Sequence, residues 1–233
     1  MEKDCPLSRR EARRQDRREA ILDVASRSFH EHGYAGTTMS AIAATLGGSK
    51  GTLWSYFPSK EALFAAVLDR ATMAYRARLA EILDPCGDLE STLRRFCKAF
   101  TERVTSSDAI TLNRLLVGEA GRFPEIGAIF YERALQPTRV LLADFLDGAM
   151  RRGLLRRDDP LIAARTLITL CMSGCHQMLL MGQADRCTPA RIDQDIDFAM
   201  LFFLRAYRGD GAGGSIAAAV MPSPVGRSLP LRL

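Results

Sequence analysis

Apolar side chains recur along this chain at intervals of three and four, and no segment alternates strictly as a half-buried strand would. Ile21, Leu22, Ala25 and Phe29 mark one face of a first helix, expected from about Arg13 to His32, with Gly33 ending it in the positive-φ conformation that glycine tolerates. Ile42, Ala43 and Leu46 mark a short second helix capped by Thr38. After the Gly47-Gly48 interruption, Leu53 and Phe57 mark an equally short third helix starting near Lys50. Ser59 caps a fourth, which runs over 60–83 through Leu63, Phe64, Val67, Leu68 and Tyr75 and stops before Pro85. At ~1.5 Å per residue that helix can reach from one domain into the next.

Beyond Asp84-Pro85-Cys86-Gly87 the spacing stays helical. Leu89, Leu93, Phe96, Cys97, Phe100 and Val104 define a fifth helix, and a sixth spans about 109–120. Pro124 opens a seventh that runs to about Arg152, with a kink expected at Pro137. Asp159-Pro160 and Thr188-Pro189 each pair an N-cap with a first-turn proline. They open an eighth and a ninth helix, ending near Gly182 and Arg208. The pattern predicts an all-α protein of about nine helices. Residues 209–233 hold five glycines and three prolines and offer little to bury, so a flexible tail is expected there.

Two helices of only two turns each, separated by a glycine turn, cannot stand alone, because helix nucleation is costly and so short a helix buries little. Braced by neighbours, they have the layout of a helix-turn-helix DNA reader. The residues Thr37, Thr38, Ile42, Ala43, Gly47, Ser49, Lys50, Gly51, Thr52, Leu53, Tyr56, Phe57, Ser59, Lys60 and Glu61 stand in a gapless register that resembles the DNA-binding domain of the TetR family of bacterial transcriptional regulators. Leu46, Gly48 and Trp54 depart from the usual pattern, and Gly48 adds backbone freedom of ~0.5–1 kcal/mol to the turn. The resemblance implies an N-terminal three-helix DNA-binding domain and a larger C-terminal helical domain for effector binding and dimerisation. The expected boundaries are a disordered basic arm at 1–12, the reader at 13–61, the connecting helix at 60–83, the larger domain at 84–208 and the tail at 209–233.

DNA reading needs short polar side chains and amides facing the groove, with hydroxyls and cations on the flanking phosphates. Ser49, Lys50, Thr52, Trp54, Ser55 and Tyr56 face away from Leu53 and Phe57 and supply that chemistry, while Gly51 permits close backbone approach. The resemblance implies that Lys50, Thr52 and Tyr56 lie at or near bases and backbone, and that Thr38, Trp54 and Lys60 hold phosphates. Arginine is absent from this helix, so bidentate guanine contacts are not expected from it and DNA shape carries weight. Tyr34 reads as a brace of the reader's core.

A single such reader covers few base pairs, and two related by a dyad would read a palindromic operator in double-stranded DNA. The family's dimerisation pair is the last two helices. The residues expected at a homodimer interface are Leu167, Cys171, Gly174 and Cys175 on the eighth helix and Ile192, Ile196, Met200 and Phe203 on the ninth. In the family a small-molecule effector binds within the larger domain. Phe96, Phe100, Leu116, Phe130, Met172, His176 and Met178 are the candidates for a mainly apolar effector pocket with one polar handle. The resulting expectation is a repressor released from its operator by a small apolar or aromatic effector.

Charge changes this picture locally. The chain of 233 residues carries 32 Lys and Arg against 27 Asp and Glu, a mild net +5. Six arginines from Arg9 to Arg18, against Glu11 and Asp16, place most of that excess just before the reader, where a basic arm or helix start can follow phosphates or enter a minor groove. Six cysteines lack the spacing of a disulfide framework. Cys171 and Cys175 share a helical face, so with Cys187 and His176 they form an alternative, a metal- or thiol-redox-responsive regulator on the same fold. Buried structural use of these thiols is the other reading, and no metal is assigned. The uncharged stretch 166–184 is broken by polar residues and reads as a buried helix, not a membrane span. The charged first twenty residues lack a signal-peptide core, which points to the cytoplasm. Carboxylate pairs, nucleophile–base spacings and phosphate-cradling glycine loops are absent, so neither an enzyme nor a cofactor is expected.

Overall fold

The computed structural model describes residues 8–47 and 50–209. Among them the chain forms eleven α-helices and one π-helical turn, with no strand beyond an isolated bridge between Leu155 and Arg208. In order these are α1 (Arg9–Gly36), α2 (Met39–Thr45), α3 (Lys50–Tyr56), α4 (Lys60–Ile82), α5 (Leu89–Val104), α6 (Ser107–Glu119), α7 (Pro124–Phe130), the π turn (Tyr131–Leu135), α8 (Gln136–Arg151), α9 (Pro160–Cys171), α10 (Cys175–Leu180) and α11 (Pro189–Tyr207). The tail expected at 209–233 lies, but for Gly209, outside the described residues, as do residues 1–7 of the expected arm.

Two apolar cores share α4. Its first half puts Leu63, Phe64, Val67 and Leu68 against Ile21, Leu22, Ala25 and Phe29 of α1, Ile42 of α2 and Leu53 of α3. Its far end puts Leu79 and Leu83 into a larger core with Leu93, Phe96, Leu146, Leu167 and Phe203. The boundary between head and body is not clean, because Leu116 of α6 and Ile126 of α7 complete the head's core.

Three departures from the sequence pattern have local causes. First, α1 begins at Arg9, not near Arg13. The Ser8 hydroxyl accepts the Glu11 amide at 3.3 Å and the Glu11 carboxylate accepts the Ser8 amide at 2.9 Å, a reciprocal cap that holds the arginine run in a helix. Second, the expected kink at Pro137 is taken up one turn earlier. Proline has no amide to offer the Arg133 carbonyl and its ring crowds it. The helix widens over Tyr131–Leu135, the Gln136 amide bonds back to the Tyr131 carbonyl, and Arg76 of α4 donates to the Arg133 carbonyl at 3.3 Å. Third, the helix expected from Pro160 to near Gly182 breaks at 172–174. The Asp195 carboxylate of α11 sits so close to Gly174 that no Cβ would fit, and it accepts the Cys175 amide at 2.6 Å in place of a helical carbonyl.

The head is fastened to the body at Gly33. Its φ of +71° turns the chain so that the next two amides, Tyr34 at 3.0 Å and Ala35 at 2.6 Å, both point at the Glu119 carboxylate at the end of α6. A Cβ on Gly33 would collide with that carboxylate. Tyr34 is fully buried, its ring 5.4 Å from those of Phe64 and Phe123. Its role as a core brace matches the sequence reading.

Two stability effects are expected. Gly33→Ala combines an unfavourable φ with loss of the Glu119 seat, and should lower unfolding free energy by more than ~1 kcal/mol in urea titrations. His176 on α10 is buried, and that burial holds its imidazole below its ordinary pKa of 6.5. The unfolded chain then takes up a proton that the folded chain refuses, so stability is full above 6.5 and falls as pH drops towards the folded value. Replacing His176→Gln should shrink the stability difference measured between about pH 7.5 and pH 5.5.

Candidate nucleic-acid interface

The helix-turn-helix is built from α2 and α3. Thr38 caps α2 by accepting the Ala41 amide at 3.1 Å, and Met39, Ile42 and Ala43 turn inwards. On α3, Leu53 is 3% exposed, and Phe57, one residue past its end, is buried beside it. Gly51, Thr52, Trp54 and Ser55 occupy the outward face, with Trp54 45% exposed. A large aromatic ring left in water on a two-turn helix is not there for the core. Ser55 donates to its own helix at the Thr52 carbonyl, 2.7 Å away. Lys50 opens α3, and Ser49 lies outside the described residues.

The arginine run divides in two. Arg14 stands over the Tyr56 ring at 5.9 Å, Arg18 over the Phe57 ring at 5.5 Å, and Arg17 donates to the Leu46 carbonyl at the end of α2 at 3.3 Å. These three hold the reading helix and its turn in place. Arg9, Arg10 and Arg13 are exposed on the first turns of the same helix. The basic segment from Arg9 on is therefore part of α1, so that residues 9–12, expected in a disordered arm, form the helix start that was the other form expected.

Lys60 takes a different place from the one the resemblance implied. Its ammonium donates to the Tyr34 carbonyl at 2.9 Å and the Thr37 carbonyl at 3.2 Å, and lies 4.0 Å from the centre of the Tyr34 ring. That charge is spent on the turn between α1 and α2, and the side chain is half-buried. Burial, with the Glu61 carboxylate beside it, pushes the Tyr34 phenol well up, so it stays protonated and donates to Glu61 at 3.1 Å. Thr37 is buried and donates to the Gly33 carbonyl at 2.8 Å. Sequence reasoning missed the grips of Arg14, Arg17 and Arg18, which a helical projection of α1 against α3 would have found, and Glu119, which no local pattern announces.

In the body, the seven candidate pocket residues do not line one cavity wall. Phe96 and Phe100 stack at 6.0 Å inside the larger core with Met172 against it, whereas Leu116 and Phe130 belong to the head's core. His176 is buried on α10 and Met178 half-buried there. A groove of about 530 Å³ between α4 and α5 is lined by Arg78, Glu81, Ile82, Arg95, Lys98, Ala99 and Glu102, none of them among the seven.

Most of the residues expected at a dimer interface are core. Leu167, Cys171, Cys175, Ile196, Met200 and Phe203 are at most 2% exposed within the single chain, and all but Cys175, which opens α10, pack in the larger core. Gly174 and Ile192 are half-buried. The alternation that marks an interface face and the one that marks an intramolecular face differ by a fraction of a helical turn, which apolar spacing does not resolve. The large apolar residues left in solvent on these helices are Leu161, Ile162, Phe198 and Phe202.

The cysteines also regroup. The Cys97 thiol faces the Met200 sulfur at 3.9 Å, its neighbour Cys171 and its burial hold it well above the ordinary thiol range, and both cysteines are fully buried. Cys175 instead gives its backbone amide to Asp195 at 2.6 Å, and burial, followed by the influence of Cys187 and Asp195, pushes its thiol well up. The Cys171–Cys175–His176 grouping is thus divided, and among the described residues no cluster of three or more His, Cys, Asp or Glu could hold a metal ion. No described helix is long and apolar enough to cross a membrane.

Residues 21–67 match the family profile for bacterial regulatory proteins of the tetR family, and residues 91–209 match that for the C-terminal domain of AefR-like transcriptional repressors. The HTH-type transcriptional repressor AcnR of Corynebacterium glutamicum is 37% identical over 168 residues, which span 71% of this chain and 82% of that protein. The solved structure of the flavonoid-responsive regulator FrrA superposes with a TM-score of 0.71 at 32% identity, over 84% of this chain and 100% of that one. A TetR-family regulator from Mesorhizobium loti shares the fold, with a TM-score of 0.72 at 24% identity over 84% of this chain and 98% of that one. With the reader and the body both matched in order along the chain, this protein belongs to the TetR family of DNA-binding transcriptional regulators.

Proposed function

We propose that the protein is a homodimeric repressor that reads a palindromic operator with α3 of each copy and lets go when a small apolar or aromatic effector enters the body. The observation that carries this reading is the outward face of α3, where Thr52, Trp54 and Ser55 stand in solvent on a helix clamped from behind by Arg14 and Arg18. A rigid helix end with short polar groups and an exposed ring fits a major groove. In this reading Ser49, Lys50, Gly51, Thr52 and Tyr56 meet bases and nearby backbone, and Thr38, Trp54 and the exposed Arg9, Arg10 and Arg13 meet phosphates. Lys60 acts from inside, by fixing the turn that leads into α2.

The dimer is supported by the exposed apolar face of α9 and α11. Leu161, Ile162, Phe198 and Phe202 are each 43–48% exposed, and the two phenyl rings lie 4.6 Å apart. Large apolar side chains left in solvent on two packed helices mark a candidate association surface. The effector is supported by four buried polar atoms that have no protein partner: the Tyr75 hydroxyl on α4, the Thr101 hydroxyl on α5, Arg139 Nε on α8 and His176 Nε2 on α10. Buried polar groups are normally satisfied, and a ligand inside the body would give these atoms partners. The flavonoid-responsive relative, at 32% identity, favours an aromatic molecule.

Footprinting on the DNA upstream of the protein's own gene should show two protected half-sites, lost on adding the active member of a panel of flavonoids and other planar aromatics. Absence of selective protection at low salt would sink the reading. Tyr56→Ala should weaken operator binding by at least ~10-fold, about 1.4 kcal/mol, in fluorescence anisotropy, with the helical circular-dichroism signal unchanged. The double change Phe198→Glu and Phe202→Glu should yield monomers in sedimentation experiments at concentrations where the parent is dimeric.

A further inference from the structure

The reading helix rests on a narrow footing. From Gly51 to Phe57 only Leu53 and Phe57 are buried, Tyr56 is half-buried, and Gly51, Thr52, Trp54 and Ser55 stand in solvent. Two buried side chains four residues apart lie on one line along a helix, so they fix its distance from the head and leave rotation about that line soft. The turn leading into α3 adds no brace at Gly47, which has φ +63° and no atom within 4 Å of where a Cβ would stand. Reading base edges demands more, because recognition side chains must be held to within about 0.5 Å and about 10–20° of their productive placement.

Three arginines of α1 supply contacts off that line. Arg14 is followed by Arg17 and Arg18 at helical spacings of three and four, so the three share one face of α1. Arg17 donates to the carbonyl of Leu46, the residue that caps the end of α2 just before the turn, at 3.3 Å. Arg14 lies over the Tyr56 ring at 5.9 Å and Arg18 over the Phe57 ring at 5.5 Å, both at the far end of α3. The reading helix is gripped on either side from a single face of its neighbour.

We infer that Arg17, seconded by Arg14 and Arg18, is a positioning residue that sets sequence selectivity without itself meeting DNA, so that the six-arginine run of α1 is two devices with different functions. Arg9, Arg10 and Arg13, exposed on the first turns, serve phosphates. A phosphate-binding arginine strengthens binding to every duplex alike and steepens its dependence on salt, because it displaces counterions. A positioning arginine acts only where base edges are read. Its loss lets α3 roll, which costs the specific complex its base contacts and costs a non-specific complex, held by phosphates, almost nothing.

This inference rests on the reading of the groove by α3, and the test separates the two. The full-length protein is used to enrich duplexes from a random-sequence pool, and the enriched duplex and a scrambled one of equal length become the probes. Arg17→Met keeps the aliphatic stem and removes the donors and the charge. It should bind the enriched duplex about tenfold more weakly and the scrambled one within about twofold of the parent, with the slope of log affinity against log salt unchanged on the scrambled duplex. Arg10→Met should show the contrasting pattern, equal losses on both duplexes and a slope smaller by about one per copy of the chain. Trp54 is the single tryptophan of the chain and stands on α3, so its fluorescence anisotropy decay follows local motion of that helix on the nanosecond scale. The fast component should grow in Arg17→Met and stay as in the parent in Arg10→Met. If circular dichroism shows Arg17→Met to be unfolded, Arg18→Gln is judged by the same readings. Equal losses on both duplexes with a reduced slope would make Arg17 a phosphate contact and overturn the inference, as would unchanged affinity for the enriched duplex. A parent protein that enriches no sequence overturns the reading by α3 instead, and the Trp54 decay still decides whether Arg17 steadies the helix.

Discussion

The carboxylate of Glu119 is the point on which the two halves of this protein meet. Two consecutive backbone amides converge on this one carboxylate because Gly33, at φ +71°, breaks the helical course of α1 just before them. Charge-assisted bonds of this kind are about twice as strong as neutral ones and far more directional. Around them stand the Tyr34, Phe29, Phe64 and Phe123 rings and the Lys60 ammonium, so the joint is also the most aromatic part of the head. An α6 that slides or tilts must either carry the head with it or give up both bonds.

Much of this architecture was legible because it is local. The caps at Thr38, Ser59, Asp159 and Thr188 each accept an amide at the start of the helix they were expected to open. Leu53 and Phe57 are buried while Thr52 and Trp54 face out, as their spacing requires. What the chain conceals is long-range. The break at Gly174 depends on Asp195, twenty-one residues away and apolar in no pattern, and burial of Cys171 and Cys175 on either side keeps the periodicity looking unbroken. The family resemblance implies a phosphate for Lys60, but the Tyr34 and Thr37 carbonyls lie close enough to hold its ammonium within the chain.

The same limit explains the interface residues. Periodicity identifies the apolar side of α9 and α11 without saying whether a neighbour in the same chain or a second copy covers it. Phe203 and Phe202 are adjacent, yet one is wholly buried and the other 43% exposed. An apolar stripe broader than one partner can cover is the informative sign, and here it is read only once the intramolecular partner is known.

The division of labour between α1 and α3 bears on how such a protein finds its site. From Gly51 to Tyr56 the reading helix is uncharged, and the exposed arginines Arg9, Arg10 and Arg13 lie on the first turns of a different helix. On the proposed reading, attraction to the duplex falls largely to α1, with Lys50 at the start of α3 adding to it, and discrimination among sequences to the outward face of α3. Attraction is long-ranged, indifferent to sequence and softened by salt, whereas discrimination acts only at contact. If the proposed contacts hold, such a molecule travels along DNA under its arginines while α3 samples the groove, and ionic strength sets its search speed more than its choice of destination.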